Sequence, residues 1–161
     1  MFIRNKYLFF TLVLMFLTTL VRAQKQASDK IYWLALDKYT LALSSDNSPN
    51  LYSSKEKKIY LQKPEYVDSI PSKINGYDII LITNETQKNL YQAHNNKLVH
   101  TIMSPVAVED SLLNIRISPY FGTLKSGKHY YLAVSDGLIV YFKYDYIKKQ
   151  FVVFKVMNWG I

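Results

Sequence analysis

Residues 130–145 read YYLAVSDGLIVYFKYD, and their reading decides how the last third of the chain folds. The stretch contains Ser135-Asp136-Gly137, which is either a fragment of a catalytic site or the bend of a hairpin. Asp-Gly favours a two-residue turn, because both central positions of such a turn need positive φ. With Asp136 and Gly137 at the bend, Val134 faces Ile139, Leu132 faces Tyr141 and Tyr131 faces Phe142. Apolar side chains then meet on both faces, as cross-strand packing requires. The sequence therefore predicts geometry rather than chemistry here, with strands over about 129–135 and 138–144. DYIKK (145–149) turns the chain again, and QFVVFKV returns as a further strand over about 150–156.

Upstream the pattern changes in steps. SLLNIRIS alternates, with Leu113, Ile115 and Ile117 on one face and Asn114, Arg116 and Ser118 on the other, the mark of a half-wet strand. KLVHTIMS reads as another strand, Glu109-Asp110 as a turn between the two, and PYFGTLKSGK (119–128) as a loop. YDIILIT (77–83) is almost wholly apolar and predicts a central strand buried on both faces. Asn75-Gly76 before it is a tight-turn pair. Asn84 with Gln87 predicts a variant capping box that opens a short helix through about His94, ended by Asn95-Asn96. IYLQK (59–63) is a short strand, and Pro64 starts a brief turn that Pro71 stops. In DKIYWLALDKYTLALSS, Tyr32, Leu36, Tyr39 and Leu43 recur at spacings of four, three and four, widened by Ile31, Ala35 and Ala42. That is an amphipathic helix of about four turns, capped by Ser28, with Lys30, Asp37, Lys38 and Thr40 turned to water.

Helix first and antiparallel meander last imply a single α+β domain. The long N-terminal amphipathic helix packs on a curved, mostly antiparallel sheet of five to seven strands. The order of elements fits a cone-shaped sheet, as in nuclear-transport-factor-2-like domains, or a cystatin-like packing. Neither comparison carries function.

The first 23 residues stand apart. Arg4 and Lys6 precede an apolar run from Tyr7 to Val21, and Val21-Arg22-Ala23 supplies a cleavage site. This is the layout of a signal peptide (1–23), leaving a domain over 24–161. The run of about 15 residues is short of the roughly 20 that cross a bilayer core, so no lasting membrane anchor is expected. The sequence thus predicts export, to the periplasm or the extracellular space. Without the leader the chain holds 17 basic and 12 acidic residues, a net +5 in place of +8. Such a mild surplus favours acidic envelope polymers over nucleic acid. The absence of cysteine excludes disulfides, a lipidated N-terminal cysteine and thiolate metal sites.

Candidate chemistry is thin. Ser54-x-x-Lys57, Ser45-Asp46-Asn47 and Lys125-Ser126-Gly127 parallel the boxes of serine penicillin-recognising enzymes. Their order is reversed, the serine sits in a charged loop, and the chain is about half the required length. His94, His100 and His129 have no metal-ligand spacing, so no metal and no cofactor are expected. Asp78, His100 and Arg116 are the candidates for a buried polar site: Asp78 interrupts an apolar strand, and Arg116 or a tyrosine hydroxyl is a possible partner. The alternative places Asp78 at the surface and His100 as a hydrogen-bonded core residue. Aromatic residues concentrate in the last third. Tyr120, Phe121, Tyr130, Tyr144 and Tyr146, with Lys143, either fill the core or present a flat surface to a protein or glycan.

The sequence therefore points to an exported, non-enzymatic binding module, possible as an inhibitor, whose partner is an envelope protein or polymer. The rivals are a small hydrolase using scattered Asp and His residues, and a cavity protein for a small ligand. Intact-mass measurement of the exported chain should give an N-terminus at Gln24. Retention of Met1 would overturn the cleavage.

Overall fold

The computed structural model of the chain describes Met15 and residues 29–45, 56–126, 129–134 and 136–160. The leader (Met15 apart), Ser28, Ser54 and Ser135 lie outside the described residues. Residues 29–44 form helix α1. Tyr32, Leu36, Tyr39 and Leu43 are buried along one stripe with Ile31 and Ala35, as the 3.6-residue period requires. Thr40, expected in water, is fully buried. Its hydroxyl stays satisfied, donating to the carbonyl oxygen of Asp37 at 2.9 Å and accepting from the Asn75 amide at 2.9 Å. At the helix start, buried Asp29 accepts from the Ser69 backbone N–H at 3.1 Å, tying α1 to the segment after the first strand.

The strands are β1 (Lys58–Gln62), β2 (Lys73–Ile74), β3 (Tyr77–Ile82), β4 (Lys97–Met103), β5 (Ala107–Glu109), β6 (Leu112–Lys125), β7 (His129–Ala133), β8 (Asp136–Asp145) and β9 (Gln150–Gly160). Helix α2 (Gln87–Ala93) lies between β3 and β4. The sheet runs β2-β3-β1-β4-β6-β8-β9, with β5 and β7 also paired to β6. β1 is parallel to β3 and β4, and the remaining pairs are antiparallel. This is an α+β domain on a mixed, mostly antiparallel open sheet. The parallel unit was not anticipated from the sequence.

Helix α1 covers one face. Its stripe packs on Ile59, Leu61, Ile79, Met103, Ile115, Ile117, Leu138, Val140 and Phe142. A smaller cluster of Ile82, Tyr91, Leu98 and Leu124 holds α2, with Tyr60, Leu90 and Tyr130 packed against it. Register places these strand residues on the face opposite α1. β3 differs from the expected doubly buried strand. It lies next to the edge strand β2, and exposed Asp78 breaks its burial. The box that opens α2 is also shifted by one residue. Thr83 and Thr86 each accept the other's backbone N–H, at 3.2 and 2.9 Å, in place of Asn84 and Gln87. Asn95 and Asn96 end the helix as expected, both with positive φ (55° and 62°).

The largest correction falls on residues 130–145. β7 and β8 do not pair with each other. Both pair with β6, Phe121↔Ala133 through Lys125↔His129 on one half and Leu113↔Phe142 through Ile117↔Leu138 on the other. They form one long strand line with a single extra residue opposite 118–120. Asp136-Gly137 therefore begins a strand, and Gly137 lacks the positive φ that the bend would need. Residues 119–125, expected as part of a loop over 119–128, continue β6, and the chain reverses only after Lys125. Pro119 is compatible with this, because it stands opposite the interval between β7 and β8, where that ladder is interrupted. By contrast Asn75-Gly76 does form its tight turn (φ 48° and 82°) and joins Ile74↔Tyr77. Asp110-Ser111 does the same between β5 and β6 (φ 49° and 65°).

Gly137 is needed for room. A Cβ there would stand 2.6 Å from the Ile117 carbonyl oxygen and 2.7 Å from Trp159 Nε1. Gly137→Ala should destabilise the fold by about 1–3 kcal/mol in denaturant titration. A neutral result would show that the Trp159 side chain does not seat on this glycine.

Candidate binding surface

The six candidate residues of the last third separate into three places. Tyr120 and Tyr130 are half-buried beside α2. Tyr130 packs edge-on against the buried ring of Tyr91 at 5.0 Å, so it serves the inner cluster. Phe121 is 47% exposed on β6, at the far end from the β8–β9 turn. Tyr144 and Tyr146 do come together, at the tip of the β8–β9 hairpin, while Lys143, next to Tyr144 in β8, lies on the other face of the sheet. Tyr144 contacts Tyr146 at 5.1 Å and Phe151 at 5.3 Å, and the Lys143 ammonium lies 5.0 Å from the Phe154 ring centre.

The structure gives Asp78, His100 and Arg116 separate partners. Asp78 is exposed and pairs with Lys73 at 3.4 Å. Arg116 lies 3.8 Å from Glu109, whose Oε2 also accepts from Tyr141 and Asn114, each at 3.3 Å. His100 is buried on β4, with Nδ1 3.1 Å from the Tyr91 hydroxyl and no partner for Nε2. Burial disfavours its charged form and lowers its pKa from 6.5 to about 4. Among the described residues, no three or more His, Asp or Glu side chains gather as a metal site. No described helix is long and apolar enough to cross a membrane.

The hairpin tip has a built geometry. Asp145 Oδ1 accepts the backbone N–H groups of Ile147 and Lys148, both at 2.9 Å. These bonds hold the Asp145 carboxyl below its ordinary range, the Lys148 N–H being the first cause. A turn fixed in this way projects Tyr146 (83% exposed) and Ile147 (94% exposed) into solvent. Lys148 and Lys149 follow directly. Behind the tip, β9 ends the sheet, and among the described residues no strand pairs with its outer edge. Its eleven residues include one charge, Lys155, while Phe154, Val156 and Met157 are exposed. Long apolar edges are templates for further pairing.

Ile147 and Lys155 were not picked out from the sequence. A signal was present for each: an apolar Tyr-Ile pair inside a charged turn, and a last strand with no polar face. Scanned against family models, curated proteins and solved structures, the chain matches none. The cone-like comparisons thus rest on element order alone.

His100 makes stability depend on pH. Below 6.5 the unfolded chain takes up a proton that the folded chain refuses until about pH 4. Stability should fall as pH drops through that window, by up to roughly 3 kcal/mol, and then level off. Urea midpoints across the window should show this slope, and His100→Gln should flatten it. An unchanged slope would place the titration elsewhere.

Proposed function

We propose that the chain is a non-enzymatic binding module of the cell envelope, engaging a partner protein through the β8–β9 hairpin. The observation that supports this is the fixed turn at Asp145, which holds Tyr146 and Ile147 out in water. A large apolar side chain on a rigid turn loses little conformational entropy on binding, and this is how interface anchors work. A folded monomer gains nothing by holding an isoleucine almost wholly in water. Lys148 and Lys149 in the turn, with Lys143 beside it, fit an acidic rim around an apolar pocket on the partner. The open β9 edge adjoins the tip and extends the surface.

The test uses the mature chain as bait for envelope extract. Tyr146→Ala combined with Ile147→Ala should reduce recovery of the specific partner at least about tenfold. The unfolding midpoint should stay unchanged, because both side chains are exposed. Added salt should slow association with wild-type bait. Equal recovery by the double variant would sink the proposal. Binding to anionic vesicles without any protein partner would replace it with a membrane-surface role.

A further inference from the structure

A second site lies at the other side of the sheet, at the carboxyl ends of the parallel strands. β1, β3 and β4 point the same way and end at Gln62, Ile82 and Met103. The chain leaves two of these neighbours toward opposite faces. After β1 it passes over the α1 face, where Val67, Ile70 and Ile74 join the main core. After β3 it passes to the other face and forms α2. Adjacent parallel strands whose continuations part in this way leave a crevice beyond their carboxyl ends, a recurrent place for ligands. Here it is a cleft of about 870 Å³. That volume lies in the range of small-molecule sites.

The lining has a definite chemistry. Ile82, Met103 and Val67 contribute buried apolar surface. The carboxamides of Gln62, at the end of β1, and of Asn84 and Gln87, where β3 passes into α2, stand around it. Among the described residues, none of these three carboxamides has a hydrogen-bond partner within the chain. Each offers two donors and an acceptor. Tyr66 supplies one wall, its ring set 5.2 Å from Tyr32 and its hydroxyl donating to the Met103 carbonyl oxygen. A ring anchored at both its face and its hydroxyl is a fixed platform. Lys63 is the one ammonium in the lining, against the carboxylates of Glu65 and Asp68. The balance is slightly negative and disfavours an anion.

We propose that this cleft binds a neutral carbohydrate. A sugar hydroxyl both donates and accepts, so adjacent hydroxyls match a carboxamide on both counts and a carboxylate as acceptor. The C–H face of a sugar ring matches the apolar face of Tyr66. The site is separate from the hairpin tip and does not depend on it.

Amide-resolved NMR titration of the mature chain decides the matter. The probes are glucose, N-acetylglucosamine, their β-1,4-linked disaccharides, and glucuronate. A neutral sugar should give saturable shifts confined to residues 62–68, 82–87 and 102–105, with a millimolar dissociation constant for a monosaccharide. Glucuronate should bind at least about tenfold more weakly than glucose. The triple variant Gln62→Ala, Asn84→Ala, Gln87→Ala should lose about tenfold or more in affinity at an unchanged unfolding midpoint. Tighter binding of a disaccharide than of its monomer would identify a polymer as the source, and equal binding a free sugar. No saturable shift with any neutral probe, or shifts at Tyr144 and Tyr146 instead, would overturn the proposal. The Tyr146→Ala, Ile147→Ala variant should keep full sugar binding, so the two sites fail or survive independently.

Discussion

Pairing along β6 is the constraint on which the rest of the structure depends. This strand runs fourteen residues, Leu112 to Lys125, and is flanked along both edges. On one edge it pairs with β4 and then β5, on the other with β7 and then β8. Each flank has one residue more than β6 near its middle, between Met103 and Ala107 on one edge and between Ala133 and Leu138 on the other. Such insertions bend a strand and increase its twist without ending it. A bent central strand lets one sheet serve two helices: Ile115 and Ile117 lie under α1, while Leu124 lies under α2. Gly122 permits the second packing, since any Cβ there would collide with the Tyr91 hydroxyl at 1.9 Å.

The two faces are unequal, and that inequality leaves surface for binding. Helix α1 presents about four turns of stripe and seals the sheet from β3 to β8. Helix α2 has seven residues and seals only the region around Tyr91. Nothing comparable lies over β9 among the described residues. Hydrophobic residues on this strand therefore remain partly in water, and their alternation gives no polar side. At the opposite end, the parallel strands stop together and their continuations separate, which makes the cleft. Both sites are consequences of the same topology, in which a short parallel unit is joined to a longer antiparallel meander.

What was legible in the sequence was whatever depends on neighbours within a few residues. The α1 stripe was readable because Tyr32, Leu36, Tyr39 and Leu43 satisfy a helical period on their own. The meander was readable from alternation in residues 112–118 and the apolar runs after it. At the candidate site, the contact of Tyr144 with Tyr146 was readable for the same reason, since they are near in sequence, whereas the strand turns Lys143 to the other face. Asp78, His100 and Arg116 are far apart in sequence, and only the fold could show that each finds its own partner. The cleft was unreadable for a like reason. Gln62, Asn84 and Gln87 are ordinary exposed amides until β1 and β3 are set side by side.

Two turn pairs show where local reasoning stops. Asn75-Gly76 and Asp136-Gly137 carry the same signal for a two-residue bend. The first becomes one, because Ile74 and Tyr77 on either side of it are direct partners. The second could bend only by pairing β7 with β8, and this would remove both from β6. β6 then would lose ten paired positions along its length, Leu113 to Ile117 and Phe121 to Lys125. A local hairpin offers fewer partners and less burial than a fourteen-residue neighbour, so the longer ladder wins. The glycine retained at 137 has a different use, giving Trp159 and the Ile117 carbonyl the space that any side chain would take. Asp136 is left half-buried beside α1, where its charge helps to raise the pKa of buried Tyr39, although burial is the larger cause. The Ser-Asp-Gly stretch thus reports on packing across the sheet, which no window of neighbouring residues contains.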